Sequence, residues 1–273
     1  MAKPVPRGPL AVRWLGCELG RVRAGALTHA VVELENAGTG TWRSGHLSGI
    51  HGAYHWLDEL GNPIVWDGIR TGFDEPVPPG ARARLELALR GPTPPGRYRL
   101  AIDLTDETRC WFAEIGNEPL ELDVEVEPRI RRALAARGGD QEALARQEEP
   151  LVPEDEADAV AHLAEGCAPA PDWSRRVLDA HQQGYAVVGG SVDVPRRPLR
   201  RRPRALEPYA PGTGRLPAFE HPLLCPSIVR GVEPEWLEPV EGLPAARAPE
   251  GEPWLYDGRI AVTAPPRSGR PRG

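Results

Sequence analysis

Three histidines in a short span are the first candidates for chemistry. His46, His51 and His55 are close in sequence, and imidazole is a common ligand of zinc and other transition metals. On a strand, His51 and His55 would face the same side, but the strand rise puts them about 13 Å apart, too far to share one ion. A loop could bring His46 closer, yet no fourth ligand is evident. We therefore expect ordinary histidines on a polar face, and no metal.

A serine after two glycines is the second candidate, because it could act as a nucleophile. Ser191 has this position, and Asp179 and His181 precede it closely, so a Ser-His-Asp triad can be imagined. The nucleophile elbow, however, has the pattern G-x-S-x-G, and Asp193 stands where the second glycine belongs. We therefore favour a bend in an edge strand and predict no catalytic residue.

An arginine-rich tract could bind phosphate groups or an acidic surface. Its guanidinium groups belong to Arg196, Arg197, Arg200, Arg201, Arg202 and Arg204. The tract has no aromatic side chain that could stack on bases, and the net charge of the chain is -6, which argues against a nucleic-acid partner. Two interpretations stay open: a solvated linker docked on the acidic first domain, or a site for an acidic partner.

Tryptophans offer a fourth kind of chemistry, since an indole ring can stack on the C–H face of a sugar. Five of the eight tryptophans lie before residue 128, at Trp14, Trp42, Trp56, Trp66 and Trp111. Trp42 and Trp66 stand next to turns. Most tryptophans in a β-sandwich fill its core, so core packing is the alternative for each. We predict ligand contacts at Trp42, Trp66 and Trp111.

The segment from residue 27 to residue 127 must position these tryptophans. Apolar and polar residues alternate in it, most clearly at residues 27–36, 81–90 and 98–104, which is typical of half-buried strands. Gly, Pro and Asn interrupt the alternating runs at intervals of roughly 8–12 residues. This spacing predicts an antiparallel β-sandwich at residues 10–127 with about seven to nine strands.

The motifs of this segment also resemble a known family. They are N-x-G-x-x-x-W at 36–42, a strand around Trp56, D-G at 67–68, P-P-G at 78–80, P-P-G-x-Y-x-L at 94–100 and W-F at 111–112. Their order resembles immunoglobulin-like sandwich modules with recurrent tryptophans from bacterial polysaccharide-related proteins. It also resembles the tryptophan-rich domain of the autophagy receptor called next to BRCA1. The resemblance implies an immunoglobulin-like fold and a bacterial source, but no activity.

After Pro128 the pattern indicates helices. A short arginine-rich helix would carry Ile130 and Leu134. Gly138 and Gly139 would interrupt it, and residues 141–149 could resume it. A second helix would cover residues 154–165, and a third would cover residues 173–183. Asp172 is the expected N-cap of the third helix. We therefore predict a helical connector at residues 128–183.

The remainder of the chain is rich in proline and glycine. Residues 185–194 read as a strand, and no convincing amphipathic run follows it. We therefore predict that residues 184–273 form an irregular, Pro-rich and loop-rich C-terminal region with one short strand.

Residues 173–194 resemble a second family. Their pattern, W-x-x-x-V-L-x-A-H-x-x-G-Y-A-V-V-G-G-S-V, is similar to a helix and strand of family-2-type glycosyltransferases. The DxD motif that binds the metal in those enzymes has no counterpart at a strand end here. The resemblance therefore implies a degenerate or accessory form, with Asp179, His181 and Asp193 as the candidate residues.

The cysteines and the N-terminus provide evidence on the cellular compartment of the protein. Cys17, Cys110, Cys167 and Cys225 form no zinc pattern. Cys17 and Cys110 could pair across a sandwich, but we favour buried free thiols. The N-terminus lacks the apolar core of a signal peptide, and no apolar run is long enough to span a membrane. We therefore expect a cytoplasmic protein without a membrane span.

These observations favour a non-catalytic binding or assembly module that is associated with polysaccharide or glycan machinery and has no cofactor. Its partner would be a glycan or another protein. Two alternatives stay open. One is a degenerate or split glycosyltransferase accessory, and the other is an adaptor that binds an acidic partner through the arginine tract.

Overall fold

The computed structural model describes residues 6–46, 48–194, 204–205, 215–216 and 222–265. The chain divides into two compact units, Met1–Glu127 (unit 1) and Pro128–Gly273 (unit 2). Strands predominate in both units, and the described residues contain two α-helices, so the predicted all-β class is confirmed. Neither of these helices is long and apolar enough to cross a membrane.

Unit 1 contains two sheets and a 3-10 helix, Ala113–Ile115. Its strands are β1 (Val12–Leu19), β2 (Val22–Arg23), β3 (Leu27–Asn36), β4 (Ser44–Gly45), β5 (Ser48–Leu57), β6 (Pro63–Val65), β7 (Thr71–Gly72), β8 (Arg82–Arg90), β9 (Gly96–Asp106), β10 (Cys110–Trp111) and β11 (Leu120–Glu127). The first sheet has the order β1-β3-β8. The second has the order β2-β11-β9-β5-β4, with β10 on β9 and with β6 and β7 on β5.

Strand β3 follows the alternation of its sequence. Ala30, Val32 and Leu34 are completely buried, and β3 pairs with β8 so that Leu85 lies opposite Val32 and Leu87 lies opposite Ala30. Each fully buried Val or Leu side chain contributes about 1.5–3 kcal/mol relative to exposure. The predicted strand at residues 27–36 is confirmed.

One asparagine closes the turn after β3. The Asn36 side chain accepts a hydrogen bond from the Gly38 amide at 3.0 Å. It also donates hydrogen bonds to the carbonyl oxygens of Gly40 and Val77, both at 2.8 Å. A Cβ atom at Gly38 would lie 2.3 Å from the carbonyl oxygen of Pro9, so only glycine fits this position. The N-x-G pattern is thus a structural requirement of the turn.

Aromatic side chains fill the core of unit 1. Trp42 and Trp56 are fully enclosed, at 1% and 0% exposure. The Trp42 ring lies 5.6 Å from the Phe112 ring and 6.0 Å from the Phe73 ring. The Trp56 indole donates a hydrogen bond to the carbonyl oxygen of Arg90 at 2.8 Å. Buried rings of this size dominate the energetics of a small core.

The described residues of unit 2 form an eight-stranded mixed sheet, a three-stranded sheet and two helices. Its elements are β12 (Leu134–Gly139), α1 (Gln141–Ala145), β13 (Ala159–Glu165), β14 (Ala168–Pro169), α2 (Trp173–Gln182), β15 (Val187–Val194), β16 (Arg204–Ala205), β17 (Arg215–Leu216), β18 (Leu223–Leu224), β19 (Ser227–Val229), β20 (Glu235–Val240), β21 (Leu243–Arg247) and β22 (Trp254–Thr263). The sheet orders are β12-β13-β19-β15-β22-β14, with β16 added to β15 and β17 added to β22, and β18-β21-β20.

Helix α2 and strand β15 occur where the sequence predicts them. Trp173, Val177 and Leu178 form the buried stripe of α2, and the strand after them is confirmed as β15. Asp172 occupies the N-cap position, but its side chain makes no capping hydrogen bond. Its carboxylate instead accepts a hydrogen bond from Arg176 at 2.5 Å.

Two of the predicted helices in residues 128–183 are wrong, although the predicted continuation at residues 141–149 contains the helix α1. Residues 134–139 form β12 rather than a helix, and the second half of the predicted 154–165 helix is β13. The two strands pair in parallel, and Ala159, Ala161 and Leu163 alternate as buried residues. Pairing inside a buried sheet therefore overrides the high helix propensity of Ala, Leu, Glu and Arg.

The prediction of an irregular region with one short strand at residues 184–273 is also wrong. Residues 222–265 contain the five strands β18 to β22. The pairing of β20 with β21 shifts register between Leu237 and Val240, and Pro244 lies at this irregularity. Its carbonyl oxygen accepts a hydrogen bond from the Cys225 amide at 2.9 Å. Prolines are tolerated in a sheet where the ladder is interrupted in this way.

The four cysteines are free thiols. Cys17 and Cys110 are partly exposed, so the expectation of buried thiols is wrong for them. It is confirmed for Cys167 and Cys225, which are buried.

Candidate ligand-binding cleft

The candidate site lies on the outer face of the β5-β9-β11 sheet of unit 1. His55 on β5 lies opposite Ala101 on β9, which in turn lies opposite Glu121 on β11. Because side chains alternate along a strand, these residues share one face, and the neighbouring Tyr54 and Trp56 point into the core. The strands thus form a floor outside the core.

Two tryptophans from separate segments cover this floor. Trp66 follows β6, and Trp111 ends β10. The His55 ring stacks on the Trp66 ring at a centroid distance of 4.2 Å and an angle of 22°. It also lies 4.4 Å from the Trp111 ring, and the two indoles are 6.4 Å apart. Trp66 is 57% exposed, so the cluster forms an aromatic wall with one accessible ring.

Hydrogen bonds and an ion-pair network hold the wall in place. His55 Nδ1 bonds to the carbonyl oxygen of Trp66, and because a carbonyl only accepts, Nδ1 carries the proton. The Arg70 guanidinium lies 4.7 Å above the Trp111 ring, a favourable cation–π geometry. Arg70 also pairs with Glu107 at 2.6 Å and with Asp67 at 2.5 Å.

Between the wall and strand β11 is a cleft of about 150 Å³. Its apolar lining includes Trp66, Trp111 and Pro119, and its carboxylates are Asp103, Glu114 and Glu121. The volume is below the roughly 300–1,000 Å³ of pockets for drug-sized ligands. The cleft therefore suits one small ring or one end of a longer molecule.

Burial shapes the ionisation of two groups in the cleft. It raises the pKa of Asp103 to about 6, although hydrogen bonds from the Ala113 and Leu104 amides act in the opposite direction. It lowers the pKa of His55, against the effect of the hydrogen bond to Trp66. At neutral pH, Asp103 is thus mostly ionised and His55 is neutral. Both side chains are bonded to the main chain, which suits a binding surface better than proton transfer.

The predicted ligand-contact tryptophans separate into two groups. Trp66 and Trp111 meet in the cleft. The predicted ligand contact of Trp42 is wrong, because its ring is enclosed between Phe73 and Phe112 and no ligand can reach it. The sequence suggests His55 only as a metal ligand and not as part of an aromatic site. Its alternation on β5 places it on the outer face, but the sequence carries no signal that the two tryptophans would converge on it.

The metal hypothesis for the histidines gains no geometric support. His55 is part of the aromatic wall, and His51 lies against the Gly49 carbonyl oxygen and 3.9 Å from Glu107. In the described part of the chain, no group of three or more His, Cys, Asp or Glu side chains could hold an ion.

The imagined triad of unit 2 does not form, which corrects that hypothesis. The Ser191 hydroxyl donates to the carbonyl oxygen of Gly258 at 2.9 Å. His181 is completely buried and bonds to Tyr185 and Ser227. Asp179 pairs with Arg132 at 2.7 Å. The expectation of an edge strand is also wrong, because β15 lies between β19 and β22.

The other predicted site residues belong to the arginine tract and to the glycosyltransferase-like segment. Arg196, Arg197, Arg200, Arg201 and Arg202 fall outside the described residues, and Arg204 belongs to the short strand β16. Asp193, the third candidate residue of the glycosyltransferase-like segment, pairs in register with Ala205 across β15 and β16.

These positions leave the cleft of unit 1 as the site with the most specific geometry. Comparison of the chain with protein-family models finds no match, and comparison with curated proteins finds none either.

Proposed function

We propose that unit 1 is a non-catalytic module that binds a glycan by stacking one sugar ring on Trp66 beside Trp111. The observation that carries the proposal is an indole that is 57% exposed at the rim of a formed cleft. An exposed indole is a large apolar surface, and such surfaces often mark binding sites.

The fixed geometry of the wall supports this role. The His55 ring backs the Trp66 ring, and its hydrogen bond to the Trp66 carbonyl oxygen fixes the loop that carries the indole. A preordered ring loses little conformational entropy when a ligand binds, so more of the contact energy appears as affinity. The ring faces and carboxylates of the cleft also match a ligand with an apolar face and polar edges, as a pyranose has.

We further propose that unit 1 has an immunoglobulin-like arrangement. Strands β1, β3 and β8 take the places of A, B and E in one sheet, and β5, β9 and β11 take those of C, F and G in the other. Near the start of β9, the Tyr98 hydroxyl donates to the carbonyl oxygen of Pro94 at 2.7 Å. A tyrosine that bonds back in this way at the start of strand F is a hallmark of such sandwiches.

Replacement of Tyr98 by phenylalanine tests the importance of this corner. The ring stays and the single hydrogen bond to Pro94 is lost, so we expect the free energy of unfolding of unit 1 to fall by about 1 kcal/mol. Amide hydrogen exchange of β9 and β11 in the intact chain measures this loss of stability. An unchanged exchange rate would mean that the corner does not stabilise the sandwich.

The glycan proposal is tested with the full chain on an immobilised panel of neutral, acidic and amino-bearing oligosaccharides. The Trp66→Ala variant should lose about tenfold or more in affinity for every glycan bound by the unchanged protein, because it removes the exposed stacking surface. Trp236→Ala is the matched control, since Trp236 is 47% exposed, belongs to unit 2 and does not line the cleft.

Two outcomes would contradict the glycan proposal. One is that no glycan on the panel binds to the unchanged protein. The other is that Trp66→Ala and Trp236→Ala reduce binding equally, which would indicate non-specific adhesion through any exposed indole.

A further inference from the structure

The charge of the cleft restricts the ligand that it can accept. Asp103 lies at its floor with 0% exposure, and the exposed Glu114 and Glu121 lie at its rim. Lysine and arginine are absent from the described residues that line this cleft, and its one imidazole, that of His55, is neutral at neutral pH. The nearby Arg70 is held by Glu107 and Asp67, so its charge is already compensated.

A second, larger groove continues along the same strands. It has a volume of about 430 Å³, and its charged side chains are Asp58, Glu59, Arg97, Arg99, Asp123 and Glu125. Leu57 and Glu121 line the cleft, and Asp58 and Asp123 next along the strands line the groove. Arg99 lies opposite Asp123 and pairs with Asp123 at 3.8 Å and with Glu121 at 3.6 Å.

Cleft and groove together carry a large excess of negative charge. Their linings contain seven carboxylates and two guanidinium groups. Along β9, the six-residue distance from Asp103 to Arg97 corresponds to about 20 Å, which is long enough for several sugar rings. An elongated ligand would therefore place one ring on the indole and the others along an acidic surface.

We propose that the ligand is a glycan with free, unacetylated amino groups, an oligomer of a hexosamine in its ammonium form. This inference rests on the proposed function of the cleft. Glu114 and Glu121 line the same cleft as Trp66, so their carboxylates are the groups that an ammonium group on the stacked sugar would meet. Charge-assisted hydrogen bonds of this kind are stronger than neutral ones.

The same charges select against other glycans. A uronic acid oligomer would bring its carboxylates against those of the cleft and groove, and like charges in contact disfavour binding. An N-acetylated oligomer has the same rings without the positive charge, so it retains only the stacking contribution.

Isothermal titration of the full chain with two matched probes tests the inference. One probe is a glucosamine oligomer, and the other is the N-acetylglucosamine oligomer of the same length. We expect the glucosamine oligomer to bind about tenfold or more tightly. A linear polyamine without sugar rings serves as the control for attraction by charge alone, and it should bind more weakly than the glucosamine oligomer.

Variants of the cleft identify the side chains that recognise the amino group. Glu114→Gln together with Glu121→Gln should bring the affinity for the glucosamine oligomer closer to that for the N-acetylated probe, because five of the seven carboxylates remain. The N-acetylated probe should bind as before. Both side chains are exposed, and glutamine keeps an oxygen that can accept the hydrogen bond which the Trp111 amide donates to Glu114 at 3.0 Å. The fold should therefore tolerate the changes, and circular dichroism checks this. Glu33→Gln, an exposed glutamate on β3, is the matched control and should change neither affinity.

The outcomes distinguish the two proposals. If both probes bind equally and Trp66→Ala weakens both, the amino-group inference is wrong and the glycan proposal stands. If the N-acetylated probe or a uronic acid oligomer binds more tightly, the inference is also wrong. If the polyamine binds as tightly as the glucosamine oligomer, stacking plays no part and the inference is overturned. If neither these probes nor any other glycan binds, both proposals fail.

Discussion

Replacing Trp42 by alanine is expected to lower the free energy of unfolding of unit 1 by about 3–5 kcal/mol, the usual cost of truncating a buried Trp or Phe. The indole is 1% exposed and lies between Phe73 and Phe112, so its removal leaves a cavity that these rings can fill only in part. Amide hydrogen exchange of β3, β5 and β9 in the intact chain measures the loss.

Two variants sharpen this expectation. Trp66→Ala makes the same chemical change at an exposed ring and should cost about 1 kcal/mol or less. Trp42→Phe should lose less than Trp42→Ala, because the Trp42 Nε1 atom has no hydrogen-bond partner among the described residues. If Trp66→Ala destabilised unit 1 as much as Trp42→Ala, the assignment of one ring to the core and the other to the cleft would be wrong.

Acidification from pH 7 to pH 4 is expected to destabilise unit 2 by roughly 3 kcal/mol through His181 alone. Burial lowers the pKa of this histidine to about 4, against the effect of its hydrogen bond to Tyr185. The unfolded chain takes up the proton near the ordinary value of 6.5, whereas the folded chain takes it up only near 4. Stability is therefore fully present above pH 6.5 and is lost as the pH falls towards 4.

The hydrogen bonds of His181 explain why its ring stays neutral. Nδ1 donates to the carbonyl oxygen of Tyr185 at 2.8 Å, so Nε2 accepts from the Ser227 hydroxyl at 2.8 Å. Protonation of Nε2 would require the Ser227 hydroxyl to turn and accept instead of donate, and it would place an uncompensated charge in the core. Nuclear magnetic resonance of the imidazole in the full chain should give a midpoint near pH 4. A midpoint near 6.5 would contradict the expectation, and His181→Phe should remove this part of the pH dependence.

Local sequence patterns were sufficient for most strands of unit 1. The alternation at residues 27–36 and the N-x-G turn at Asn36 each depend on neighbours in the chain, and both occur where they are expected. The cleft depends instead on the convergence of His55, Trp66 and Trp111 from three segments. Their spacing along the chain holds no information on this convergence, because it follows from the pairing of β5 with β6 and of β9 with β10.

The wrong secondary-structure predictions in unit 2 have a related physical cause. The LAARGG segment of β12 is a poor strand by propensity, and its extended form is stabilised by parallel pairing with β13, which follows about twenty residues later in the chain. The strands after residue 222 contain prolines that normally argue against a sheet. Such segments become strands only when their distant partners are in place, so a local pattern misjudges them.

The aromatic wall has a consequence for how such a protein can diverge. Trp66 and Trp111 belong to a loop after β6 and to the end of the short strand β10, whereas the core depends on rings such as Trp42 and Trp56. Mutations can therefore exchange the rim of the cleft while the interior stays intact. Selection could change what the surface recognises in single steps, each with only a small cost to folding. Descendants of one ancestor could then share a scaffold while they bind unrelated molecules.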